Sequence, residues 1–202
     1  MYRIITIERQ FASGGHEIGR RVAKELGYEF YNQEILAQVA KKLQIPAMYI
    51  GELEEASSGS KLLNLSQSPL GGSNKKEGKV PPMAEQIFLE EKNIIENISK
   101  EGPCVIVGRS AGYILKDRED CLNVFIHADK EARLRRAIEF EKIKAEEAEA
   151  ALKKMDKRRK EFYKTHTEWS WGEKEFFELC LDSGTLGLDL CTELLVLAAK
   201  KD

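Results

Sequence analysis

Two adjacent glycines, Gly14 and Gly15, stand between a short β-branched run and the opening of a helical stretch in "QFASGGHEIGRRVAKELG", Gln10 to Gly27. Backbone N–H groups at such a junction can converge on an anion. The helix N-terminus adds roughly half a unit of positive charge. Neither property needs a lysine, and none follows these glycines. His16 and Arg20 are neighbours on a helix surface, so both could face an anion held at the loop. Glu8 and Glu17 flank the loop with hard oxygens suited to Mg²⁺, although a Glu in a first turn also simply complements the dipole. Arginines recur at Arg109, Arg133, Arg136, Arg158 and Arg159, and a guanidinium grips phosphate in a fork that lysine cannot offer. The chemistry this collection could serve is phosphoryl transfer, in which a protein mainly positions two groups and neutralises charge. The blander alternative is a tight strand-to-helix turn, with the arginines as solvated helix decoration.

Five short apolar segments must position these groups. "RIITIE" (3–8), "YEFYN" (28–32), "CVIVG" (104–108), "CLNVFIHA" (121–128) and "FFELCLDSG" (176–184) read as strands or hold one. Helical patterns alternate with them. In the first, Ile18, Val22, Ala23 and Leu26 share a face and Gly27 is a terminator. "QEILAQVAKKLQI" ends at Pro46, and "AMYIGELEEA" continues helical. Ile87, Glu91, Ile94, Ile95 and Ile98 mark an amphipathic helix that ends at Gly102. Asp129 caps the next, and a long charged helix covers 144–165. Residues 57–82, rich in Ser, Gly, Asn and Lys, show no sustained period and read as a flexible insertion. Strand–helix alternation predicts an α/β fold, a five-stranded parallel sheet with helices on both faces. Ligands bind such sheets at the strands' carboxyl ends, here Glu8 to Gly15, Asn32, Gly108 to Ser110 and His127 to Asp129.

The 202 residues make one domain. Basic and acidic side chains nearly balance, 32 against 34, which argues against a general nucleic-acid binder. No apolar run approaches membrane-spanning length and no leader is visible, so a cytoplasmic protein without membrane contact is expected. Cys104, Cys121, Cys180 and Cys191 lack metal or redox spacing and read as buried thiols. "HTEWSWGEKEFF" holds both tryptophans, a packing plug or a base-stacking surface.

From "ITI" onward the chain resembles cytidylate kinases of the P-loop nucleoside monophosphate kinase group. Laid on the family pattern D-G-P-S-G-x-G-K-[GS]-T, Glu8 takes the Asp place, Gly15 the Walker Lys place and Glu17 the Mg²⁺-binding Thr place. "VIVGRSAGYIL" resembles the G-R-D-x-G segment, "FIHADKEARLRR" the F-L-x-A-x-x-E-x-R-x-x-R segment, "MDKRRKEF" the D-x-x-R segment and "LCLDSGTLGL" the L-V-L-D-S-T-x-L segment. "SGGHEIGRR" fits the cytidylate kinase-like branch, which carries S-G-G-R-E-I-G-R at the loop. The resemblance implies a three-layer P-loop kinase fold with a helical lid over 137–165, ATP as donor and Mg²⁺ as its companion. It implies donor-phosphate contacts from Ser13, Gly14, Gly15, His16, Glu17 and Arg20, and catalytic cations at Arg133, Arg136 and Arg159. It implies acceptor contacts from Arg109, Ser110, Asp156 and Asn32, with Glu17 or Glu8 at the metal. The expected activity moves the terminal phosphoryl group of ATP to a nucleoside monophosphate, CMP-like, or a similar small acceptor; homo-oligomerisation stays open. Ser110 and Asn32 stand where family members carry Asp, and a hydroxyl cannot offer a carboxylate to an exocyclic amine. Two alternatives therefore remain: a nucleotide- or phosphate-binding protein that lost the lysine chemistry, and a kinase for an unrelated small alcohol.

Overall fold

The computed structural model describes residues 1–46, 50 and 81–200. The expected helix beyond Pro46 and the 57–82 insertion lie outside the described residues, apart from Ile50, Pro81 and Pro82. In chain order the elements are β1 (Ile4–Arg9), α1 (Gly15–Leu26), β2 (Glu29–Tyr31), α2 (Gln33–Leu43) and α3 (Met83–Glu101). Then come β3 (Cys104–Val107), the short α4 (Ala111–Ile114), β4 (Cys121–His127), α5 (Lys130–Glu139) and α6 (Ala145–His166). A single 3₁₀ turn (Lys174–Phe176), β5 (Leu179–Asp182) and α7 (Ser183–Ala199) close the chain.

The five strands are all parallel, in the order β2-β3-β1-β4-β5. Side chains alternate across a strand, so β1 feeds two cores. Ile5 and Ile7 join Val105, Val107, Val124 and Ile126 against Ile18 and Val22 of α1 and Cys191 and Leu195 of α7. Ile4 joins Cys104 and Ile106 against Ile35 and Val39 of α2 and Ile87, Ile94 and Ile98 of α3. Covering both faces is why these strands read as unbroken apolar runs. Each buried Ile contributes about 2–3 kcal/mol. The helix-sheet spacing on the first face depends on Gly19, where a Cβ would meet Val107 Cγ2 at 2.9 Å.

A third, smaller cluster lies beside the loop that follows β1. Ala12 and Phe11, from the loop after β1, pack with Ala137 and Leu134 of α5 and Ala148 and Leu152 of α6. The loop is thus built into the helical arm beside it. Three of the four cysteines are buried, and burial pushes the Cys104 thiol up to about 11 and Cys121 up to about 12. Cys180 departs from expectation: it lies exposed on β5, the edge strand that pairs only with β4. Among the described residues no helix is long and apolar enough to cross a membrane.

Candidate functional site

The carboxyl ends of β1, β3 and β4 converge as the parallel topology requires, and the loop after β1 is fastened there. Gln10 N–H donates to the Ile126 carbonyl (3.0 Å). The Ser13 hydroxyl donates to the carbonyls of Gln10 (2.9 Å) and Ile126 (3.1 Å), and its own carbonyl accepts from Ser183 Oγ (2.6 Å). The helical arm grips the other side. Asp156 accepts from Phe11 N–H (2.7 Å), Arg133 pairs with Asp156 and reaches the Phe11 carbonyl, and Arg159 Nη1 donates to the Arg9 carbonyl (2.8 Å). Gly14 then takes a left-handed conformation (φ 81°, ψ 3°), and α1 begins at Gly15. A Cβ at Gly14 would lie 2.6 Å from Leu188 Cδ2, so only glycine makes this entry. The first N–H groups of α1 have no acceptor within their helix.

They border a cavity of about 640 Å³ lined by Gly14, Gly15, His16, Glu17, Arg9, Arg136 and Arg159 among others. Arg136 leans over the loop: a Cβ on Gly14 would lie 3.3 Å from its Cζ. Its guanidinium stacks on Phe140 at 4.7 Å, and its buried Nε has no hydrogen-bond partner among the described residues. His16 is exposed, edge-on to Phe30, with Nδ1 2.8 Å from Asn32 Nδ2.

A second cavity, about 250 Å³, is lined by Glu8, Arg109, Ser110, Arg158, Tyr163 and others. Arg9, Asn32, Gln33 and Arg159 line both cavities and form the wall between them. Gly108, Arg109 and Ser110 all have positive φ (81°, 62° and 50°), an uncommon run for side-chain-bearing residues. The turn lets the Ser110 amide donate to Glu8 Oε1 (3.2 Å) and sends Arg109 Nη1 to within 3.3 Å of Glu91 Oε1, a fully buried carboxylate of α3. Burial raises the Glu8 pKa, and the nearby Arg9 and Arg159 charges pull against that.

The expected site residues therefore divide. Gly14, Gly15, His16, Glu17, Arg136, Arg159 and Asn32 line the loop cavity; Arg109, Ser110, Glu8, Arg159 and Asn32 line the second. Ser13 is fully buried with its hydroxyl spent on carbonyls, so it shapes the loop from beneath. Arg133 and Asp156 face the backbone of Phe11 and line neither cavity. Arg20 is turned onto Glu17, which also accepts from Arg21 (2.8 Å). Those two arginines lower the Glu17 pKa. Arg9 also lines both cavities, although no motif marks it. The signal was available: a cation at the carboxyl end of a β-branched strand, beside the glycines.

Mg²⁺ bound directly by protein does not fit these residues. Glu17 is engaged by Arg20 and Arg21, and Glu8 is 4% exposed with two guanidinium charges nearby. Among the described residues no three His, Cys, Asp or Glu side chains are grouped to hold a metal. The aromatic segment packs: Trp169 stacks on Phe176 and meets Tyr113 edge-on, while Trp171 meets Phe125 edge-on.

Solved structures share this architecture. An uncharacterised protein from Eubacterium ventriosum superposes with TM-score 0.73 at 24% identity, covering 98% of this chain and 99% of its own. Shikimate kinase from Acinetobacter baumannii, solved with shikimate, gives 0.55 at 16% identity over 100% and 97%. A gluconokinase from Sinorhizobium meliloti gives 0.51 at 16% over 96% and 90%. These likenesses show the P-loop kinase fold. Among curated proteins no relative matches the sequence. The sequence pattern of one family does, across residues 4–185. The chain belongs to the cytidylate kinase-like family.

Proposed function

We propose that this protein is a phosphotransferase that moves the terminal phosphoryl group of ATP to a nucleoside monophosphate or a similar small phosphorylated acceptor. One observation carries the reading: two cavities share a cationic wall, one bordered by the helix-opening loop, the other by Arg109. Donor phosphates rest on the N–H groups at Gly14, Gly15 and His16, with Arg136 closing over them from α5. The acceptor phosphate sits on Arg109. Arg159, held at the junction by the Arg9 carbonyl, faces the group in transit. Fixed cations on both sides of the transferring group supply charge stabilisation without reorganisation. Any Mg²⁺ arrives with the nucleotide's own oxygens and waters.

The second reading, a nucleotide- or phosphate-binding protein without turnover, is favoured by the glycine at the Walker lysine place and by the poor metal fit. Purified protein with ATP, Mg²⁺ and a panel of monophosphates, read by product mass, separates the two. The first expects a new diphosphate; ATP binding without any transfer establishes the second. Arg109→Ala should weaken CMP binding by more than about tenfold, the worth of a charge-assisted fork. Since that change also removes a cation from buried Glu91, Arg109→Lys keeps the charge and tests the fork alone. CMP binding unchanged in both variants removes Arg109 from the acceptor site.

A further inference from the structure

We infer that Arg9 is a catalytic cation standing in for the absent loop lysine, reaching from the donor cavity to the acceptor cavity and contacting the phosphoryl group between them. The inference rests on the phosphotransferase reading. Position is the first argument. Arg9 is the last residue of the central strand, and its side chain lines both cavities. Arg136 lines only the loop cavity, and Arg159 spends an N–H on the Arg9 carbonyl.

The path of the side chain is the second argument. Gly15 opens the helix at the donor loop, and a Cβ there would fall 2.7 Å from Arg9 Cβ and 3.0 Å from Arg9 Cγ. Gly108 opens the acceptor turn, and a Cβ there would run into the Arg9 guanidinium, 3.0 Å from Cζ and 3.3 Å from Nη2. The stem of Arg9 therefore leaves along one glycine and its head arrives against the other. Both openings on this cross-site path are made by residues without side chains.

The third argument is chemical. A lysine at the Walker place would approach from the helix side. Arg9 approaches from the strand beneath and offers parallel N–H donors to two oxygens of one phosphoryl group. An acceptor phosphate oxygen forms the new P–O bond to the terminal phosphorus of ATP. The bond to the bridging oxygen breaks, and its electron pair leaves with the diphosphate. Arg9 stays protonated throughout, so it stabilises charge and transfers no proton. The Arg159 bond to the Arg9 carbonyl fixes the strand end from which the side chain departs.

The test uses the full chain with ATP and CMP, each titrated calorimetrically against wild type, Arg9→Met, Arg9→Lys and Gly108→Ala, with melting temperatures as the folding control. Arg9→Met should weaken ATP and CMP binding by about tenfold each and transfer by about a hundredfold; Arg9→Lys should recover part of both affinities. Gly108→Ala puts a methyl group in the guanidinium path and also strains a left-handed turn, so it should weaken both ligands in the wild-type background. In the Arg9→Met background only the backbone strain at Gly108 (φ 81°) should remain, so the two changes together should cost each ligand clearly less than the sum of their separate effects. Arg9→Met binding both ligands within about threefold of wild type overturns the inference, as does loss of only one ligand. Wild type that binds both ligands but transfers nothing overturns the phosphotransferase reading, while the titrations still decide whether Arg9 spans the two sites.

Discussion

Glu8 sets the electrostatics of the junction. Its carboxylate lies buried near the carboxyl end of β1, 4% exposed, accepting from the Ser110 amide. Burial is the largest influence on its proton affinity and outweighs the Arg9 and Arg159 charges, so its pKa lies above the ordinary Glu value. The folded protein then holds this proton more tightly than the unfolded chain. Stability from this residue is fully present below the ordinary Glu range and is lost as pH rises through the folded value. Glu8→Gln keeps the shape and removes the charge. It should melt higher than wild type at about pH 8, with the gap closing towards about pH 4. Melting curves of the two proteins that stay parallel across that range would mean the guanidinium groups fully offset the burial.

At the scale of elements, the turn from β3 to α4 concentrates strain. Arg109 and Ser110 both occupy left-handed conformations, each costing about 1–2 kcal/mol for an L residue. Ser110 also buries a hydroxyl that has no hydrogen-bond partner among the described residues. Strain and an idle polar group beside a cavity are typical of a site held ready for a ligand. Ser110→Gly should stabilise the protein by about 1 kcal/mol, the relieved strain less the backbone entropy of glycine. It should weaken CMP binding at the same time. The denaturation midpoint rises with its slope unchanged if this is right; a lower midpoint would show that the hydroxyl contributes to packing. The sequence disclosed the elements themselves because two-sided burial leaves β1, β3 and β4 uninterruptedly apolar, and because Ile18, Val22 and Ala23 keep helical spacing. The assignments inside α6 were harder. Lys, Glu and Arg crowd its 22 residues, and only the loop's Phe11 amide and carbonyl decide that Asp156 and Arg133 turn inward. Arg20 was equally opaque, since Glu17 three residues away captures it. The bearing of Arg9 depends on clearance at Gly108, nearly a hundred residues on, which no local pattern displays.

Across the whole molecule, α6 is the strut that couples these parts. Its middle holds the loop after β1 through Asp156 and Arg159. Its end stacks on α3, the helix whose Glu91 pairs with Arg109. His166 lies face to face with Phe88 of α3 at 4.2 Å and tilted against Phe162 at 4.7 Å. Burial among these rings lowers the His166 pKa, because a charged imidazolium would lose water there. The unfolded chain therefore takes up this proton first on acidification. The stack's contribution is present above the ordinary His range and is lost as pH falls through the folded value. His166→Phe keeps an aromatic ring in place and removes the titration. Between about pH 7 and pH 5 wild type should lose more melting temperature than His166→Phe, and amide exchange at the carboxyl end of α6 should quicken in wild type alone. Because the same helix carries Arg159 at the wall between the cavities, the acid-loosened stack should weaken ATP and CMP binding together. Acid weakening of both ligands to the same extent in His166→Phe would place the sensitivity elsewhere and leave the α3–α6 stack as packing alone.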